Sequence, residues 1–254
     1  MVELTIKHFL IVCPLVFLAS FIDAIAGGGG LISLPAYMLA GLSPNQAKAS
    51  NKLSAVMGAT TSFYKYGKNG FIPWKIAIIC TITSLIGSTI GSKITLLIDD
   101  TVFKYIMLVV LPITAFIVLK GKAIDKDREP LSKKKTIILA MIITGVIGAY
   151  DGFYGPGTGT FMILLLSSVA HIKLDEANGI SKAANFGSNF AANIVYLASG
   201  NTVIPLSLCA GAFSIAGAYV GSHLYGKKGR KIAKPIVLIV IAIFLGKLIY
   251  ELFL

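Results

Sequence analysis

Apolar runs close to twenty residues long recur from one end of this chain to the other, separated only by short polar or basic breaks. About 20 apolar residues in a helix cross the roughly 30 Å of bilayer hydrocarbon, and inside lipid only helices or closed barrels satisfy the backbone. The runs take up nearly all of the 254 residues, which leaves no room for a soluble catalytic domain. Hydrophobic residues make up 56% and charged residues 13% of the chain, too few polar groups to cover a water-facing surface. The first run has no small-residue cleavage site ahead of its Asp and glycines, so it is expected to stay in the protein rather than leave as a signal peptide.

The net charge of +12 does not point to nucleic acid. Lys and Arg sit in the breaks, where they set membrane topology. Lys133–Lys135 and Lys227–Lys234 are expected to anchor loops to anionic lipid. Cys13, Cys80 and Cys209 lie inside apolar runs and read as packing residues with no redox role.

The chain contains the same unit twice. Asp23-Ala-Ile-Ala-Gly27-Gly-Gly29 matches Asp151-Gly-Phe-Tyr-Gly155-Pro-Gly157 at an offset of 128 residues. Further on, an offset of 130 pairs Ala47 with Ala177, Lys52 with Lys182, Tyr66 with Tyr196, Gly70 with Gly200, and Gly87-x-x-x-Gly91-Ser92 with Gly217-x-x-x-Gly221-Ser222. Shared membrane composition would repeat Gly and Ala but not Asp and Lys in one register. Residues 1–120 therefore read as repeat one, 121–135 as a basic cytoplasmic linker and 136–254 as repeat two.

Five hydrophobic segments are expected in each repeat. In repeat one they are Phe9 to Ala26, Leu31 to Leu42, Ala47 to Tyr66, Phe71 to Ser92 and Val102 to Leu119. In repeat two they are Thr136 to Tyr150, Gly159 to Ala170, Gly179 to Ala198, Thr202 to Ser222 and Ala233 to Phe253. The second of each set spans only about 18 Å as helix, so it reads as one arm of a broken or re-entrant hairpin. The fold class is an all-α polytopic membrane protein.

Charge gives the repeats opposite orientations. Between segments three and four, repeat one carries Lys65, Lys68 and Lys75, and the matching stretch from Ser199 to Ile204 carries no base. Between segments four and five the bias reverses, with Lys227, Lys228, Arg230, Lys231 and Lys234 all in repeat two. With the linker in the cytoplasm, sixteen bases fall inside and five outside: Lys7, Lys48, Lys93, Lys104 and Lys247. Only inverted repeats, each with an odd number of passes, meet that rule.

Inverted repeats meeting at broken helices are the usual architecture of secondary transporters. Gly27 to Gly30 and Gly155 to Gly159 each follow an Asp and precede a short apolar segment. Each can turn the chain and start a helix whose N–H groups point at the break, a setting that favours anions. Thr158 and Thr160 add hydroxyl donors. Lys52 and Lys182 are intramembrane cations at equivalent positions; each either recognises substrate or snorkels to the interface. Asp23 and Asp151 can pair with the lysines, carry a coupling proton or cap the short helices. Asn185, Asn189 and Asn193 share a helix face, with Asn51 at a similar depth.

Candidate substrate residues are thus Gly28, Gly29, Gly30, Asn51, Lys52, Gly157, Thr158, Thr160, Lys182, Asn185 and Asn189. His8, His171 and His223 sit at segment ends and read as interfacial. No nucleophile with a base, phosphate loop or metal-ligand spacing occurs, so neither catalysis nor a cofactor is expected.

At the glycine motifs the chain resembles the TauE/SafE family of sulfite and organosulfonate exporters, also called TSUP. The resemblance covers nearly the whole chain. It rests on Phe21-Ile-Asp-Ala-Ile-Ala-Gly-Gly-Gly-Gly30 with Pro35 behind it, Ala49-Ser-Asn-Lys52, and Tyr150-Asp-Gly-Phe-Tyr-Gly-Pro-Gly-Thr-Gly159. It implies transport of sulfite, sulfoacetate or related anions across the cytoplasmic membrane, driven by protons. The expected partners are a small anion, the lipid bilayer and a second copy docked through Gly-x-x-x-Gly faces. A passive anion channel is the alternative.

Overall fold

The computed structural model describes residues 3–120, 129–223 and 227–253. Among them lie ten α-helices and no strand: α1 Ile6–Ala26, α2 Gly30–Leu39, α3 Pro44–Lys68, α4 Trp74–Thr95, α5 Asp100–Lys120, α6 Lys133–Phe153, α7 Thr158–Ser168, α8 Leu174–Ala198, α9 Ile204–His223 and α10 Lys227–Phe253. Each expected segment is one helix. Helices α1, α4, α5, α6 and α9 are long and apolar enough to span a membrane, whereas α2 and α7 have only 10 and 11 residues. Linker residues 121–128 lie outside the described part, as do the side chains of Lys227–Lys234; Lys133–Lys135, expected in the linker, form the first turn of α6.

Local signals set the helix ends. Ser43 and Gln46 form a reciprocal capping box with Pro44 in the first turn of α3, which satisfies two end amides at once. Lys65 and Lys68 occupy the last turn of α3, and Asp175 and Glu176 the first turn of α8, each complementing the helix dipole. Along α4, Ile78, Ile82, Ile86 and Ile90 follow every four residues and are each about half exposed. Such a stripe belongs against hydrocarbon rather than water.

The two larger apolar cores each mix the repeats. One joins α1 and α2 with α5, α9 and α10; the other joins α4 with α6, α7 and α8. Equivalent contacts recur with the repeats exchanged. The Tyr66 hydroxyl donates to the Ala24 carbonyl at 2.9 Å, and that of Tyr196 to the Gly152 carbonyl at 2.9 Å. A Cβ on Gly87 would stand 2.0 Å from the Gly145 carbonyl oxygen, and one on Gly217 would stand 2.2 Å from that of Phe17. Helix α4 thus packs on α6 as α9 packs on α1, with backbones too close for any side chain. The Gly-x-x-x-Gly faces are used up inside the chain and are not free to dock a second copy.

One lysine differs from its expected setting. Lys48, counted with the loop bases, is buried at the start of α3. Its Nζ donates to Thr95 Oγ1 at 3.2 Å and lies 3.8 Å above the Phe103 ring, where the aromatic face stabilises the cation.

Candidate functional site

The two glycine breaks touch at the centre of the molecule. A Cβ on Gly27 would meet the Thr160 amide nitrogen at 2.5 Å, and one on Gly30 the Pro156 Cα at 3.0 Å. Gly27 has φ +74° and Gly157, the residue before α7, has φ +85°, a region costly for residues with a Cβ. Glycine at these places lets both chains turn and lets the turns meet.

Each break is tied by its own Asp. The Gly29 amide donates to Asp23 Oδ1 at 3.2 Å, and the Thr158 hydroxyl donates to Asp151 Oδ1 at 2.9 Å. Asp23 thus holds a backbone amide at the start of α2, as a capping group does, whereas Asp151 holds the Thr158 side chain at the start of α7. Some amides expected to face a ligand are engaged: Leu31 and Ile32 donate to the Gly28 and Gly29 carbonyls, and Thr158 donates to that of Gly155. Carboxylates stand where the helix starts would otherwise receive an anion.

The lysines cross between repeats. Lys52 Nζ lies 2.9 Å from Asp151 Oδ2, and both side chains are buried; it also donates to Asn189 Oδ1 at 3.1 Å. Lys182 Nζ lies 3.8 Å from Asp23 Oδ2 and donates to the Asp23 backbone carbonyl. Neither lysine snorkels. The pairs are unequal: the Asp23 side chain is 24% exposed and that of Asp151 only 4%.

Between these groups lies a cavity of about 60 Å³, room for on the order of four waters. Of the candidate residues, Gly28, Gly29, Gly30, Asn51, Lys52, Gly157, Thr158, Asn185 and Asn189 line it, together with Asp23 and Asp151. Thr160 and Lys182 do not line it; Lys182 stands behind Asp23. Asn193, on the same face of α8 as Asn185 and Asn189, is buried outside the lining. Asn189 Nδ2 donates to the Asn185 side-chain oxygen at 3.0 Å, so these two form one polar strip facing Lys52.

The sequence pattern did not single out Ala19, Ser20, Ser33, Ala55, Gly58, Ala59, Ser62 or Ala218, which also line the cavity. Small residues are everywhere in membrane helices, and these carry no local mark. Among the described residues no three His, Cys, Asp or Glu side chains come together as metal ligands. His223 is exposed and His8 partly so. His171 Nδ1 lies 2.7 Å from the Glu129 carbonyl.

Lipid-facing spans around two broken helices, with buried paired charges lining a cavity at the breaks, are the makings of an integral multi-pass membrane transporter. The model of the family described as sulfite exporter TauE/SafE matches residues 12–248, and the chain belongs to that family. A "Probable membrane transporter protein" of Haemophilus influenzae is 32% identical over 236 residues, 92% of each chain. One from Sinorhizobium sp, ORF9, is 34% identical over 225 residues, 88% of this chain and 85% of its own. The "Probable membrane transporter protein YfcA" of Escherichia coli K12 is 31% identical over 235 residues, 92% and 87% of the two chains. No solved structure matches the chain.

Proposed function

We propose that this protein is a secondary active transporter that moves a small sulfur-containing anion, sulfite or an organosulfonate, across the cytoplasmic membrane by alternating access, with protons as coupling ion. The observation that carries this reading is the crossed pairing of Lys52 with Asp151 and Lys182 with Asp23 around one cavity. Two ammonium and two carboxylate groups sum to zero. An anion entering alone leaves an uncompensated charge where water is scarce, at an effective penalty of several kcal/mol per ion. A proton taken up by Asp23 or Asp151 restores neutrality and frees a lysine to hold the anion. Coupling then follows from charge balance: about one proton enters with each negative charge.

The family description, sulfite exporter, supports the choice of anion, and the cavity's size suits an ion of a few heavy atoms. Inverted repeats, with the Lys65 and Lys68 end of α3 in the cytoplasm, follow from the loop charges. The test is uptake of labelled sulfite and sulfoacetate into proteoliposomes under an imposed pH difference. Accumulation against the anion gradient that collapses with an uncoupler is expected. Downhill flux indifferent to the uncoupler would replace the carrier with a channel.

A further inference from the structure

The cavity is not symmetric although the repeats are. Along α3 its lining runs from Asn51 and Lys52 through Gly58 and Ala59 to Ser62, with Ser20 of α1 and Ala218 of α9 opposite. It therefore extends from the breaks towards the α3–α4 turn that carries Lys65 and Lys68. At an offset of 128 or 130 residues, Ser20, Gly58, Ser62 and Ala218 correspond to Gly148, Ser188, Ala192 and Ser88. None of these four lines the cavity.

The repeat-two route is closed by named contacts. Ser88 Oγ donates to the Ser188 carbonyl at 2.7 Å, which ties α4 to α8. A Cβ on Gly148 would come 2.4 Å from the Ser84 carbonyl oxygen, so α6 and α4 touch backbone to backbone there. In repeat one the equivalent space between α1 and α9 holds two side chains, Ser20 and Ser214, which meet at 2.6 Å. The carboxylates differ in the same sense: Asp23, beside the open route, is the more exposed, and Asp151 is sealed.

Resting on the alternating-access reading above, we infer that Ser88, Gly148, Ser188 and Ala192 form a second, sealed half of the substrate pathway, leading from the breaks to the opposite face. In the state that opens it, Lys182 and Asp151 take the places that Lys52 and Asp23 hold now. Lys182 becomes the lysine lining the cavity and Lys52 the one withdrawn behind a carboxylate. The equivalence of the repeats supports this exchange, because a packing that repeat one adopts is available to the matching residues of repeat two. The ligand of the second half is the same small anion, held by Lys182 and the Asn185–Asn189 strip.

The experiment is cysteine accessibility in membranes. Cys13, Cys80 and Cys209 are first replaced by Ser, and Ser62→Cys, Ala192→Cys and Ser88→Cys are introduced singly. Right-side-out and inside-out vesicles are then exposed to a membrane-impermeant methanethiosulfonate. Modification of S62C from one face, and of A192C and S88C from the other, is expected. The latter two should react more slowly by about tenfold or more, since minor conformers hold roughly 0.1–10% of a population. Two results would overturn the inference: modification of all three from one face, or no modification of A192C and S88C in vesicles where they still transport. If the cysteine-free protein carries neither sulfite nor sulfoacetate while S62C and A192C react from opposite faces, the anion is wrong and the second half-pathway stands. S88C serves where A192C does not insert.

Discussion

Lys52 of the first repeat and Asp151 of the second form an ion pair of 2.9 Å in which both side chains are nearly inaccessible. Both partners line the cavity, so replacing either one tests stability and transport together. Removing one partner strands the other as a buried charge, which typically costs about 3–5 kcal/mol. Lys52→Met and Asp151→Asn singly should therefore lower the thermal midpoint in detergent sharply. The double variant K52M/D151N should recover much of that loss while transport stays abolished. Recovery of both stability and transport would reduce the pair to a packing device. Asp23→Asn should cost less, because Asp23 is partly exposed and Lys182 keeps the Asp23 backbone carbonyl as a partner.

The backbone contacts at the small-residue faces allow a direct comparison of glycines. A Cβ on Gly91 would fall 1.9 Å from the Ala149 carbonyl oxygen, whereas one on Gly246 meets nothing within 4 Å. Gly91→Ala forces α4 and α6 apart and should destabilise by roughly 1–3 kcal/mol, the range for overpacked sites. Gly246→Ala sits in an uncrowded stretch of α10 and should be neutral or gain up to about 1 kcal/mol from helix propensity. Thermal unfolding in one detergent reads both, and similar midpoints for the two variants would contradict the packing described.

Part of this architecture is readable from the amino acids alone, for physical reasons. Asp23 and Asp151 repeat in register before glycine runs because each carboxylate has to hold the start of a short helix, and that local requirement leaves a local pattern. Lys52 and Lys182 stand out because lysine is rare in apolar segments. Which lysine meets which aspartate is not legible: the pairing crosses repeats and depends on how α3 and α8 pack beside the breaks. Lys48 is hidden for another reason. It lies in the first turns of α3, where hydropathy cannot separate a lysine reaching water from one folded over Phe103. The wall formed by Ala59 and Ala218 carries no mark, since alanine is as common on lipid faces as in cavities.

Cys13 and Cys209 bring their sulfurs to 3.5 Å across α1 and α9, and both belong to the core built on α1, α2, α5, α9 and α10. Closing that gap to the roughly 2.05 Å of a disulfide needs only a small shift. Thiols buried in apolar surroundings are sluggish, so a membrane-soluble oxidant such as copper phenanthroline is the suitable reagent. The expected product is an internal disulfide that leaves transport intact, because it joins two helices of one core and leaves motion against the other free. Electrophoresis of a protease-cleaved sample, with and without reductant, reports the bond. Transport lost on oxidation and restored by reductant would show instead that α1 and α9 move apart during the cycle.

Helix α2 has one end at the cavity and the other at Lys247. The Lys247 ammonium, from α10, donates to the Met38 carbonyl at 2.7 Å and to that of Leu39 at 3.4 Å, the last carbonyls of the short helix. A cation there complements the negative end of the helix dipole, an effect of about 0.3–1 kcal/mol. Glu251 lies 3.4 Å from the same ammonium and 2.7 Å from Lys104 of α5, so α10 holds α2 and α5 together. The 10 residues of α2 link this latch to Gly29 and Gly30, which line the cavity. Lys247→Met should free the far end of α2 and loosen that wall, raising the apparent KM for the transported anion severalfold while changing maximal rate little. Lys247→Arg should restore most of the affinity, since a guanidinium also donates to helix-end carbonyls. If K247M changes the maximal rate and not the KM, the latch governs motion of the core rather than the shape of the site, and helix α2 would then be a moving part rather than a fixed wall.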